Sequence, residues 1–133
     1  MPEAIRAEII AHARADAPKE VCGLLAGSGM TARRIIPCAN AHPTPVTRYA
    51  IDAREQLRAF RDMEANGEDL VAIYHSHPVS QAYPSPTDRA EAHYPDAFYV
   101  LVSLRDITPE LHAYRIRDGW VREAPINAIG SPT

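Results

Sequence analysis

The run Leu70-Val71-Ala72-Ile73-Tyr74 constrains this chain more than any other segment, because it is continuously apolar and lies between the stop signals Asn66-Gly67 and Pro78. Successive side chains of a strand point to opposite faces, so an unbroken apolar run predicts a central strand covered on both sides. Other elements must then cover the sheet, and the sequence supplies two clear helices. From Glu3 to Ala17 the chain is rich in alanine, with Ile5, Ile9 and Ala13 four residues apart, and Pro18 blocks continuation. Asp52 with Glu55 three residues on has the form of a capping box. Ala53, Leu57, Phe60 and Met63 are expected on one helical face, and Asn66-Gly67 ends the second helix.

The rest of the chain fits around that frame. Val21 to Ala26, closed by Gly27-Ser28-Gly29, and Arg33 to Cys38 predict two strands joined by a turn. Pro43 and Pro45 stiffen a loop over Asn40 to Thr47, ahead of a short strand expected at Arg48 to Ile51. Ser85-Pro86-Thr87-Asp88 reads as a helix start, and Pro95 is expected to end that third, short helix. Phe98 to Leu104 predicts another buried strand. Leu111 to Arg117 and Trp120 to Glu123, joined by Asp118-Gly119, predict a hairpin. Alternating helices and strands of mixed local character give a layered α/β domain with a mixed sheet over residues 1–125, followed by a loose tail at 126–133.

A length of 133 residues is one domain's worth, and 46% hydrophobic with 23% charged residues excludes a disordered chain. Lys plus Arg at 14 against Asp plus Glu at 17 gives a net charge of −3, and the basic residues form no stripe, so nucleic acid is not an expected partner. Apolar runs are only a few residues long, so no membrane span is expected. The first residues show no basic segment leading into an apolar run, which is the expectation for a cytoplasmic protein. Cys22 and Cys38 lack the paired spacing of a zinc ribbon and are expected to be reduced, buried filler.

His75 and His77 stand two apart at the end of the apolar strand, so both imidazoles project to the same side. Neutral imidazole is a common zinc ligand at about 2.0–2.1 Å, and Asp88, eleven residues on, can return a carboxylate to the same spot. Three protein ligands would leave the fourth position for water, the arrangement of catalytic zinc sites. Simpler readings stand beside this one: a surface His pair, an Asp88 that only reciprocates the Ser85 cap, and a Ser85 that only starts a helix.

The longer pattern carries more. Glu20 in Pro18-Lys19-Glu20-Val21-Cys22-Gly23-Leu24-Leu25-Ala26-Gly27, then His75-Ser76-His77-Pro78, then Ser85-Pro86-Thr87-Asp88, resembles the motif of the JAMM metalloproteases, the catalytic branch of the MPN domain. The resemblance covers residues 1 to 125. It implies a single MPN domain with cytidine-deaminase-like layering, and one Zn²⁺ held by His75, His77 and Asp88. It further implies Glu20 as general base, where the plainer reading is a solvated acid beside Lys19, and Ser85 as oxyanion donor. Nucleobase deaminases are excluded by the missing Pro-Cys-x-x-Cys, and gluzincins by the missing His-Glu-x-x-His.

The blocks Glu55-Gln56-Leu57, Tyr74 to Pro78, Tyr83-Pro84-Ser85, Pro95-Asp96-Ala97 and Ala113-Tyr114-Arg115-Ile116 are most similar to the cysteine-releasing subgroup, the CysO-cysteine peptidases. That resemblance implies hydrolysis after the C-terminal glycine of a ubiquitin-like sulfur-carrier protein ending in Gly-Gly, with cysteine released. The alternatives are a JAMM isopeptidase that removes a ubiquitin-like modifier from lysine, and a non-catalytic MPN scaffold. The short segments Asn40 to Val46 and Val79 to Pro84 leave little protein to grip a second folded partner, which favours the cysteine adduct.

Overall fold

Helix α1 (Glu3–Asp16) forms where the alanine-rich segment predicts it, and its Ile5, Ile9 and Ala13 stripe is buried against the sheet. The computed structural model describes residues 1–130. After α1 come β1 (Cys22–Ser28), β2 (Thr31–Cys38), α2 (Ala53–Ala65), β3 (Asp69–His77), α3 (Pro86–Ala90), β4 (Phe98–Ser103), β5 (Glu110–Arg117) and β6 (Trp120–Ala124), then a 3-10 turn at Ile126–Ala128. The strands form one sheet in the order β2-β1-β3-β4-β5-β6. Only β3 and β4 run parallel, with α3 in their crossover, and the other neighbours are antiparallel. The expected mixed α/β sheet is therefore present, with the apolar run in its third position. Parallel pairing brings the ends of β3 and β4 to one edge, where His77 lies opposite Ser103.

Alternation along β3 sorts the core into two layers. Ala72 and Tyr74 pack on the α1 side with Leu25, Val100 and Ile129, and Val71 joins them because the β1–β3 register shifts by one residue between Leu70 and Ala72. Ile73 packs on the α2 side with Cys22, Leu24, Leu101, Ala59 and Met63. His75 and His77, in step with Ile73, therefore face the α2 side.

The α1 layer contains one close approach. Gly23 on β1 pairs with Tyr74, and a Cβ placed at residue 23 would lie 2.3 Å from the tyrosine ring. The ring is fully buried, and its hydroxyl meets His12 Nδ1 at 2.7 Å, which ties β3 to α1. Gly23→Ala is expected to cost about 1–3 kcal/mol through overpacking. A urea titration would read this as a lower midpoint at unchanged slope. An unchanged midpoint would mean that the ring moves aside freely.

Several boundaries differ from the sequence expectation. Arg48 to Ile51 is not a strand; one isolated bridge, Asn40 to Ile51, closes the base of the loop. Leu57 is 51% exposed, because α2 is rotated so that Ala59 and Met63 carry its buried face. Helix α3 stops at Ala90, well before Pro95, and Tyr94 N–H goes instead to the Tyr99 hydroxyl at 3.0 Å. The tail is not loose over Ile126 to Gly130: Ile129 is fully buried, and the Met1 ammonium donates to the carbonyls of Ile126 and Gly130. Positions 131–133 of the expected tail lie outside the described residues. Among the described residues no helix is long and apolar enough to cross a membrane.

Candidate metal centre

At the end of β3, three ligand-type atoms converge. His75 Nε2 and His77 Nε2 are 3.2 Å apart, and Asp88 Oδ2 lies 3.1 Å from each. The edge of a tetrahedron with bonds of about 2.0–2.1 Å is about 3.3 Å, so this triangle has the dimensions of three ligands on one zinc-sized cation. His77 Nδ1 faces the Gln81 carbonyl at 2.8 Å. A carbonyl only accepts, so the ring proton sits on Nδ1 and the Nε2 lone pair is left for the triangle. Neither imidazole is a surface residue: His75 is 1% and His77 5% exposed.

The loop between β3 and α3 is gripped carbonyl by carbonyl. Ser103 Oγ donates to Ser80 O at 2.5 Å, His77 Nδ1–H to Gln81 O, and the Tyr114 hydroxyl to Ala82 O. This fixes the start of α3, where Ser85 Oγ accepts the Asp88 N–H at 3.0 Å and Asp88 Oδ2 accepts the Ser85 N–H at 2.9 Å. The capping box is therefore real, and it aims the Asp88 carboxylate at the two histidines. Ser85 Oγ acts as acceptor in the cap, which leaves its own O–H available as a donor.

Glu20 lies immediately before β1. Ser76 Oγ accepts the Val21 N–H at 2.8 Å and Ser76 N–H donates to Val21 O at 3.1 Å, which locks the chain beside the His pair. The Glu20 side chain is 7% exposed, its Oε1 is buried without a partner, and it is no solvated surface acid. Ligand atoms of Glu20, His75 and His77 all lie within 4.8 Å of one another, so the described residues hold a Glu-His-His group able to bind a metal. His75 Nδ1 is likewise buried and unpartnered.

Asn40 ties the neighbouring loop to this point. Its Nδ2 donates to Glu20 O at 2.9 Å and to Arg48 O at 3.0 Å, while its Oδ1 accepts from His42 N and Ala50 N. The loop thereby presents Tyr49, whose ring stacks on His75 with centroids 4.3 Å apart. Asn40, Tyr49, Ser76, Ser103 and Tyr114 went unread as site residues in the sequence. The Ser between the two histidines was visible, but its partner Val21 is 55 residues away.

The electrostatics separate the two carboxyls. Burial works to raise the Asp88 carboxyl, but hydrogen bonds with His75 and His77 overcome it and hold the group well below the usual carboxylate range. Glu20 is pushed up to about 7, chiefly by burial; His77 opposes that rise and the Asp88 charge adds to it. Full burial lowers His75 and keeps it neutral, against the pull of Asp88. His77 is also penalised by burial, yet Asp88 and the Gln81 carbonyl raise it. Cys22 and Cys38 are free and buried as expected, and burial pushes their thiols up to about 12 and about 11, which leaves them unreactive.

An α/β sheet that presents two imidazoles and a carboxylate to one point, with a second, buried carboxyl beside them, defines the class of hydrolytic metal-site proteins. Within that class the chain belongs to the Prok-JAB family, prokaryotic homologs of the JAB domain, which matches residues 2–117. The JAMM/MPN assignment read from the motif is thus confirmed. The chain is 50% identical over 132 residues to the CysO-cysteine peptidase of Mycobacterium tuberculosis, covering 94% of this chain and 90% of the relative. It is 45% identical over 92 residues to a probable TtuB-protein conjugate cleaving protease of Thermus thermophilus, covering 69% and 62%. The solution structure of a Desulfitobacterium hafniense protein superposes with a TM-score of 0.82 at 33% identity, over 92% of this chain and 87% of the other.

Proposed function

We propose that the chain is a zinc-dependent hydrolase of the cytoplasm that cleaves the bond after the C-terminal glycine of a ubiquitin-like sulfur carrier and releases cysteine. The observation that carries the chemistry is the 3.1–3.2 Å triangle of His75, His77 and Asp88 with the buried Glu20 carboxyl beside it. Two donor sets share the His pair. Asp88 is favoured as the third ligand over Glu20 because its oxygen closes the triangle at ligand-edge distance and because its carboxyl stays ionised. A bound zinc would lower the pKa of a water and polarise the scissile carbonyl. Glu20, whose carboxyl burial raises to about 7, would in its ionised form take a proton from the attacking water and deliver it to the leaving nitrogen. The Ser85 hydroxyl donates to the oxygen on which negative charge develops.

The choice of substrate is supported by the mycobacterial CysO-cysteine peptidase, matched over nearly its whole length. The Thermus relative, named for cleaving protein conjugates, supports the isopeptidase as the second reading. A side-by-side mass-spectrometric assay separates them, with one Gly-Gly carrier presented either as a cysteine adduct or as a lysine-linked conjugate. The cysteine adduct is expected to be cleaved at least about tenfold faster, a difference of about 1.4 kcal/mol at the transition state. Faster cleavage of the lysine linkage would establish the isopeptidase instead.

A further inference from the structure

The Tyr49 ring that stacks on His75 also lines a cavity of about 430 Å³, together with the buried Ile73 and Tyr99 of the sheet. Ile73 precedes His75 by two residues on the same face of β3, so this lining begins about 6.5 Å along the strand from the metal-site imidazole. We propose that this cavity is the subsite for the leaving group, shaped to take a single free amino acid with a sulfur-bearing side chain. The inference rests on the hydrolase reading above and deepens it.

Three features converge on this occupant. The first is access. On the other flank of the site the loop after β3 is open, with Val79 81% and Tyr83 45% exposed, and a tail still attached to a folded carrier can enter there. The cavity is bounded by His42 and Ala50 of the Asn40 loop, by Gln56 of α2 and by Tyr94. The cavity lies across the Tyr49–His75 stack from that open flank, so it suits what lies beyond the scissile bond. The second feature is size: ligand pockets run from about 300 to 1,000 Å³, and this one lies at the small end. A single amino acid fits within this volume, and its side chain reaches the aromatic lining.

The third feature is chemistry. Tyr49, Tyr94 and Tyr99 place three aromatic rings around the cavity, and sulfur beside an aromatic ring is favourable by about 0.3–1.5 kcal/mol. Tyr94 is held on both sides, its hydroxyl by Gln56 Nε2 at 3.0 Å and its N–H by the Tyr99 hydroxyl at 3.0 Å, so the wall is preformed. His42 Nδ1 accepts the Thr44 N–H at 3.0 Å, which places the ring proton on Nε2 and makes His42 a donor in a lining that also holds Gln56, His93 and the Glu91 carboxylate.

The test uses the full chain loaded with zinc and two substrates on one carrier, Gly-Gly-cysteine and Gly-Gly-carboxamide. The second releases ammonia and leaves the cavity empty. Native protein is expected to favour the cysteine adduct, and Ala50→Phe, which fills the recess, is expected to lower the ratio of the two kcat/KM values about tenfold or more at unchanged zinc content. His42→Ala should move the ratio in the same direction. An unchanged ratio in both variants, or no preference in native protein, overturns the subsite. If native protein cleaves neither substrate, the hydrolase reading fails and the cavity is judged by NMR titration with S-methyl-L-cysteine. Shifts at Tyr49, Tyr94 and Tyr99 that vanish in Ala50→Phe support it, and their absence at millimolar probe overturns it.

Discussion

Replacing His77 with alanine is expected to strip the chain of zinc and reduce hydrolysis to background. His77 does two things at once: its Nε2 forms the vertex of the triangle that meets His75 and Asp88, and its Nδ1–H holds the Gln81 carbonyl. Loss of an outer-shell partner alone typically costs 10- to 100-fold in metal affinity, and the loss of a ligand together with its outer-shell contact costs more. Elemental analysis of protein purified without added metal should give about one zinc per native chain and less than about a tenth of that for His77→Ala. Native zinc content in the variant would mean that the metal sits elsewhere.

Glu20→Gln is expected to do the opposite: to keep the zinc and lose turnover by about 10²- to 10⁴-fold, the usual contribution of a general base. The amide has the size of the carboxyl it replaces, so the buried pocket before β1 stays filled, and Oε1 already lacks a partner in the native protein. What the amide cannot do is take a proton from water and give it back. The same preparation tests the competing donor set. If zinc is lost from Glu20→Gln and retained in Asp88→Asn, then Glu20, with His75 and His77, is the third ligand and the base must be sought elsewhere.

What the sequence made legible and what it hid follow from the range of the interactions. Ile5, Ile9 and Ala13 on α1 and the apolar run of β3 are patterns read within one element, and both appear as expected. The His75 and His77 pair is also a within-strand pattern, and Asp88 stands at the next helix start, one loop away, so that triangle could be anticipated. The side chains that brace it could not. Ser103 reaches Ser80 across 23 residues and Tyr114 reaches Ala82 across 32, and no local periodicity says which distant carbonyl a hydroxyl will meet. The errors have the same origin. Leu57 has helical spacing but is exposed because the tilt of α2 on the sheet chooses Ala59 and Met63 instead. Arg48 to Ile51 has strand-forming residues, but it finds only one bridge partner, and Asn40 satisfies its backbone in place of a ladder.

The Asn40 clamp also determines where this domain can grow. Its four hydrogen bonds close the loop at its base, between Glu20, His42, Arg48 and Ala50, and the Ala41 N–H adds a fifth tie to Ala50 O. Everything between Pro43 and Val46 therefore hangs from a sealed neck, apart from the bond of the Glu20 N–H to the Pro45 carbonyl. Doubling the length of such a loop costs only about 0.6 kcal/mol in closure entropy. An insertion after Val46 would lengthen the arm above the metal-site edge while Glu20 and the Tyr49 wall kept their places. That is a route by which a hydrolase of single-residue adducts could acquire a grip on bulkier substrates without rebuilding its chemistry.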